Sequence, residues 1–205
     1  MAQWIIYALA VIAVLAVFFL TVMIIDGNRF YVAEYQLYSH KVRKEHRFVV
    51  LSDLHNKSYG KKNEKLLKAI DKLAPEAILI AGDMLTSKPG KSYEVSISLL
   101  KKLAEKYPVY YGMGNHETRL FLYPEVYGDM GEKYEQELNK ISIEFMRNEI
   151  QEYGDNIRII GLDMKRAYYK RFKKEPMEEA YLLETLGKAE TENYEILLAH
   201  NPDYF

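Results

Sequence analysis

Cysteine is absent from the 205 residues, which excludes disulfides and thiolate metal ligands. A reducing interior and an outer face suit such a chain equally, so compartment stays open. A large net charge is also lacking. The formal value of −1 gives no global electrostatic pull toward nucleic acid, none is expected as a partner, and any attraction for phosphate must be local. The third absence is regional: the 22 residues from Trp4 to Ile25 carry no charged side chain. As a helix rising about 1.5 Å per residue they span roughly 33 Å, close to the hydrocarbon thickness of a bilayer.

That run predicts a single transmembrane anchor over residues 1–27. A cleaved signal peptide fits less well, because Met1-Ala2-Gln3 supplies no basic side chain, the apolar run is long, and no small-x-small cleavage site follows. Arg29, Lys41, Arg43, Lys44 and Arg47 all lie downstream, so the positive-inside rule puts the rest of the chain on the cytoplasmic side of the cell membrane. Residues 28–47 read as a juxtamembrane linker, in which the alternation from Tyr31 to Tyr38 predicts a strand at a sheet edge. Residues 48–205 read as one domain.

Within it, apolar runs alternate with amphipathic ones. Strands are expected at His46 to Ser52, Ala77 to Ala81, Pro108 to Tyr111, Ile157 to Leu162 and Glu195 to Leu198. Helices are expected from Asn63 to Leu73, where Leu66, Leu67, Ile70 and Leu73 share a face before Pro75, from Tyr93 to Lys106, and from Tyr134 to Gln151. This alternation is βαβ logic and predicts an α/β fold. Thr118 to Gly131 reads as a loop, either a lid over a site or a packed surface segment. Lys165 to Lys174 holds six basic residues around Tyr168, Tyr169 and Phe172; a solvated helix start explains it, and docking to anionic headgroups is the alternative.

Four polar tips follow four of the apolar runs: Asp53-Leu54-His55, Gly82-Asp83, Gly114-Asn115-His116-Glu117 and Ala199-His200-Asn201-Pro202. Ligands collect beyond the carboxyl ends of parallel strands, so distant tips can converge. Asp53 and His55 suit one hard or borderline cation such as Mn, Fe or Zn. Asp83 could bridge two ions, one per carboxylate oxygen, with Asn115 and His200 holding the second. Two such cations clamp phosphoryl oxygens and lower the pKa of a bridging water, so hydroxide becomes the nucleophile near neutral pH. His116, not needed as a ligand, is placed as the acid that protonates the leaving group, with Glu117 orienting its ring. Each residue alone has a plainer role: Asp53 and Asp83 as helix caps, Asn115 in a turn, the histidines as core residues. His40 and His46 precede the motifs and are expected to be unrelated.

In this order the tips resemble the blocks of the calcineurin-like metallophosphoesterase superfamily: Asp-x-His, Gly-Asp, Gly-Asn-His-Glu/Asp, His, and a final Gly-His-x-His. The resemblance spans Phe48 to Phe205. It implies an αββα sandwich of two mixed sheets, a first metal on Asp53, His55 and Asp83, a second on Asp83, Asn115 and His200, and His116 as catalytic acid. With the anchor, Val50 to His55 and Leu198 to Asp203 look most like the membrane-associated bacterial branch, some members of which cleave the pyrophosphate of UDP-2,3-diacylglucosamine. The resemblance therefore implies a lipid-linked or nucleotide-diphosphate substrate and a place in lipid metabolism. No Gly-His-x-His block follows His200 before Phe205, so the domain is expected to be truncated, with weak metal binding, exposed strand edges and low activity. Two other readings stand beside it: a phosphodiesterase or phosphomonoesterase for soluble substrates, and a membrane-tethered module without catalysis.

Overall fold

A computed structural model describes residues 2–170 and 175–204. Its first element is the 26-residue helix α1 (Ala2–Gly27). Apolar side chains are exposed along its whole length, and by length and composition it can cross a membrane. No strand forms between it and β1. The expected edge strand at Tyr31 to Tyr38 is therefore corrected: Tyr31, Tyr35, Leu37 and Tyr38 are exposed, and alternation without a neighbouring strand has nothing to pair with.

Four parallel strands make the first sheet, in the order β1 (Phe48–Leu51), β2 (Ala77–Ala81), β3 (Val109–Gly112), β4 (Phe145–Met146). The central strand β2 is buried on both faces, as its unbroken apolar run requires. Ile78 and Ile80 point into a core built with Leu66 and Ile70 of α2 (Glu64–Leu73), Leu99, Leu100 and Leu103 of α3 (Glu94–Ala104), and Leu120 of α4 (Asn115–Leu122). Leu79 points the other way, into a second core with Ile157, Ile159 and Leu198. Those residues belong to the second sheet, β5 (Glu149–Tyr153), β6 (Ile157–Gly161) and β7 (Tyr194–Leu198), where β5 runs antiparallel and β7 parallel to β6. Helices, a parallel sheet and a mixed sheet are thus stacked in layers.

Local chemistry sets the boundaries. Helix α2 ends where Ala74 turns left-handed (φ 46°) ahead of Pro75, which cannot continue a helix. The helix expected from Tyr134 to Gln151 is corrected to α6 (Met130–Asn139) followed by β4 and β5. Ser142 reverses the chain at φ 57°, and Ile143 and Phe145 are buried in the first core, so tertiary burial overrides a helical pattern. The loop expected from Thr118 to Gly131 is helical instead, as α4 and the single turn α5 (Pro124–Tyr127). Glu117 starts α4 by accepting the Gly114 N–H at 3.1 Å, the N-terminal half of a capping box. In the cationic window, Arg166–Tyr169 is a 3-10 turn and α7 (Glu179–Leu186) comes later. The part from Arg171 to Lys174 lies outside the described residues.

The two sheets approach closely where the site forms. A side chain on Gly112, at the tip of β3, would bring a Cβ to 2.9 Å from the Cβ of Leu198. With nothing there, the tip of β7 comes across the end of the parallel sheet.

Candidate metal centre

The chain leaves β1 and β2 through two left-handed turns. Asp53 and His55 have φ of 56° and 48°, and Asp83 has φ of 56°, a conformation that costs L residues free energy and persists where the surroundings dictate it. Cross-loop hydrogen bonds do so here: Asp53 N–H donates to the Gly82 carbonyl (3.2 Å), His55 N–H to that of Asp83 (3.0 Å), and Asn56 N–H to that of Met84 (2.9 Å). Beside them, Gly82 and Gly114 touch backbone to backbone. A Cβ on Gly114 would lie 2.3 Å from Asp83 Oδ1, and one on Gly82 2.4 Å from Gly114 Cα. Only glycine fits at either place.

Glu117 holds this junction from within. It is fully buried and accepts from Asp83 N–H (2.8 Å), Met84 N–H (2.9 Å) and the Tyr111 hydroxyl (2.8 Å), as well as from Gly114. Tyr111 passes the network to Tyr134 (3.1 Å) and on to Ser96 (2.6 Å). Burial, with the charge of Asp83, pushes the Glu117 carboxyl up to about 7. Among the described residues, Glu117 makes no hydrogen bond to the His116 ring. Ser87 performs that service instead: its N–H donates to His116 Nδ1 at 2.9 Å and its hydroxyl lies 2.6 Å from the same atom. Nδ1 is therefore an acceptor, and the ring carries its proton on Nε2. Burial lowers the His116 pKa, which keeps the ring neutral.

Five of the expected side chains meet at one point. Asp83 Oδ1 accepts the His116 N–H at 2.8 Å, which leaves Oδ2 to face the imidazoles, 3.2 Å from His200 Nε2 and 3.9 Å from the Nε2 atoms of His55 and His116. Asp53 Oδ1 lies 3.5 Å from His55 Nε2 and 3.8 Å from His200 Nε2, and so stands between both histidines. The donors form two overlapping triads, His55–Asp83–His116 and Asp53–Asp83–His200, each with its ligand atoms within 4.8 Å of one another. Either can hold a metal ion, and Asp83 belongs to both. Asn115 opens α4 directly before His116 and lines the neighbouring cleft.

The electrostatics suit a cation. Burial alone would raise the Asp83 carboxyl, but the hydrogen bond and charge of His200 and the His116 N–H hold it below its ordinary value. His200 shows the reverse. Burial opposes its charge, yet Asp83, helped by the Ala81 carbonyl that takes its Nδ1 proton at 2.7 Å, brings it up to about 9. With Nδ1 committed to the backbone, Nε2 is the atom left for a metal. Two carboxylates and three imidazoles converging on one spot, two of the histidine rings already oriented through Nδ1, fit the hard or borderline divalent ions that the motifs suggest.

Ser87, Tyr111 and Tyr169 were not legible as site residues. Tyr169 packs against the His200 ring with centroids 6.2 Å apart, and nothing in a run of tyrosines among cations marks which one turns inward.

Among solved structures, the fold is similar to that described as "Phosphopantetheinyl Hydrolase (PptH) from Mycobacterium tuberculosis", with a TM-score of 0.42 and 18% sequence identity. The alignment covers 78% of this chain and 57% of that one, so the chain spans little more than half its length. No curated protein matches the sequence. The profile of the calcineurin-like phosphoesterases matches residues 46–205, which hold all the site residues described above, and the chain belongs to that family of metal-dependent phosphoester hydrolases.

Proposed function

We propose that the chain hydrolyses a phosphoester of a lipid-linked substrate with two divalent metal ions, Mn, Fe or Zn, held by Asp53, His55, Asp83, Asn115 and His200. When bound, such ions neutralise the phosphoryl oxygens and activate water for attack. The chain's own groups do the rest. Asp83 would contribute to holding both ions, and its Oδ1 is fixed by the His116 N–H, which orients the carboxylate. His116, the expected catalytic acid, is held neutral with its proton on Nε2 by the Ser87 N–H that donates to Nδ1, and it would stabilise the leaving alkoxide by donating a hydrogen bond from Nε2 while water supplies the proton. Glu117 keeps the loops after β2 and β3 at the spacing this requires.

The observation that carries this reading is the convergence of Asp53, His55 and His200 on the buried Asp83 beside His116, with Asp83 Oδ2 3.2 Å from His200 Nε2 and 3.9 Å from those of His55 and His116. Hydrolysis of bis(p-nitrophenyl) phosphate by the full chain in detergent, with and without manganese, tests it. Manganese-dependent turnover lost in Asp83→Asn is the expected result; turnover that ignores both manganese and that substitution would overturn it.

The lipid link rests on how α1 joins the domain. Lys57, two residues after His55, donates to the Asn28 side chain at 3.1 Å, and Phe30 packs edge-on against Tyr59 at 5.0 Å. We take residues 1–27 as a membrane anchor, 28–47 as the linker and 48–205 as the catalytic domain, on the cytoplasmic side by the charge rule. The loop bearing His55 would then lie at the bilayer surface, where a membrane substrate is within reach.

A further inference from the structure

The loops that follow β1 and β2 are cationic in a chain that is close to neutral as a whole. Residues 57–65 carry Lys57, Lys61, Lys62 and Lys65 against one carboxylate, Glu64, and residues 86–93 carry Lys88 and Lys91 against none. All but the half-buried Lys57 are exposed, and none of the six is ion-paired with a carboxylate among the described residues. The two loops make one surface: Asn56 Nδ2 donates to the Ser92 carbonyl at 3.3 Å, and Lys102 of α3 donates from Nζ to the Lys62 carbonyl at 3.0 Å. They are also fixed from within. Tyr59 N–H donates to Asn63 Oδ1 (2.8 Å), Asn63 N–H to Ser58 Oγ (3.1 Å), and Lys91 N–H to the Lys88 carbonyl (3.1 Å).

Cations held together on ordered loops repel one another unless something anionic faces them. Asp53 and Asp83, the aspartates at the same strand ends, are turned to the histidines. The position of the loops supplies a partner. They lie at the carboxyl ends of β1 and β2, beside the metal centre, and they meet the end of α1, where Lys57 donates to Asn28 Oδ1 at 3.1 Å and Tyr59 packs on Phe30. Resting on the reading of α1 as a membrane anchor, we propose that this lysine surface docks on anionic phospholipid headgroups and holds the metal-centre end of the domain against the bilayer. Each cation close to such a surface adds about fivefold to local affinity, and the effect fades within a Debye length. Because α1 already keeps the domain near the bilayer, the lysines need only choose its orientation. Anionic lipid thereby turns the metal centre toward the headgroup layer, and a zwitterionic bilayer leaves the domain to swing about the end of α1.

The chain has no native cysteine, so a single label can be placed for the test. The full chain carries an NBD fluorophore on Pro89→Cys, between Lys88 and Lys91, or on Glu105→Cys, which precedes β3 at the other end of the sheet. It is reconstituted in vesicles of phosphatidylcholine alone or with about 25% phosphatidylglycerol, each containing a lipid with a nitroxide quencher at the headgroup. Quenching at position 89 is expected to be about twofold stronger in the anionic vesicles, with no such difference at position 105, and the gain is expected to vanish in K61Q/K62Q/K88Q/K91Q and in about 1 M salt. These four exposed substitutions should leave the urea unfolding curve in place, which separates a lost surface from a lost fold. Quenching at position 89 that is equal in the two lipids, or that survives both the four substitutions and the salt, would overturn the docking surface while the chain still floats with the vesicles. A chain that floats with neither vesicle would overturn the anchor reading and the docking with it.

Discussion

Asp53 and Asp83 stand at equivalent places, each just after a parallel strand and each at φ 56°, yet their surroundings are opposite. The side chain of Asp83 is 3% exposed and that of Asp53 57%. The loop after β2 is fixed by the buried Glu117 carboxylate and the contact between Gly82 and Gly114, while the loop after β1 leans on it through three backbone hydrogen bonds. One aspartate therefore belongs to both the fold and the site, and the other to the site alone. In the proposed metal centre, the same chemistry at two strand tips would separate into a structural ligand and an adjustable one.

The sharpest way to break this comparison is to remove the shared charge. Asp83→Asn is expected to lower kcat/KM on a generic aryl phosphodiester by at least about a hundredfold, with folding retained by circular dichroism; a smaller loss than that from any single substitution in the Lys165 to Lys174 window would contradict the account. Glu117→Ala follows. It strands the backbone N–H groups of Asp83, Met84 and Gly114 and the Tyr111 hydroxyl in the interior, and a loss of about 3 to 5 kcal/mol in urea unfolding is expected. Asp53→Asn should leave that unfolding curve nearly in place and weaken metal affinity about tenfold to a hundredfold, read by calorimetric titration with manganese. Equal destabilisation by Asp53→Asn and Glu117→Ala would erase the distinction between the two loops.

A smaller effect sharpens the same contrast through His200. With its pKa raised to about 9 by Asp83, the ring is protonated at pH 7 in the metal-free chain, and that protonation stabilises the fold below about 6.5 and ceases to do so as pH rises through about 9. A metal at Nε2 must displace this proton. Titrations at pH 7 in buffers of different ionisation heat should show about one proton released at this position, and affinity should rise with pH until about 9. Uptake without proton release would mean that His200 is not a ligand.

Much of the site could be read from the sequence because its residues follow a simple rule. Apolar runs that become parallel strands must end in polar turns, and ligand-binding residues gather at those ends. Asp53, His55, Asp83, His116 and His200 lie where that rule puts them. Glu117 was harder. Its neighbour in sequence is His116, but adjacent helix positions face different ways, so the carboxylate turns inward to the β2 loop and Ser87, 29 residues away, reaches the imidazole. The segment from Tyr134 onward misled for another reason. Its pattern suits a helix locally, and only the core opposite β3 decides that Phe145 and Met146 pair as a strand.

The central claim, that Asp83 joins two metal positions, is tested most directly by counting bound manganese per full-length chain in detergent, for the wild type and for Asp83→Asn. The account predicts two ions in the wild type and a loss of both high-affinity sites in the variant. Two ions retained in Asp83→Asn, or a single ion in a fully active wild type, would contradict it.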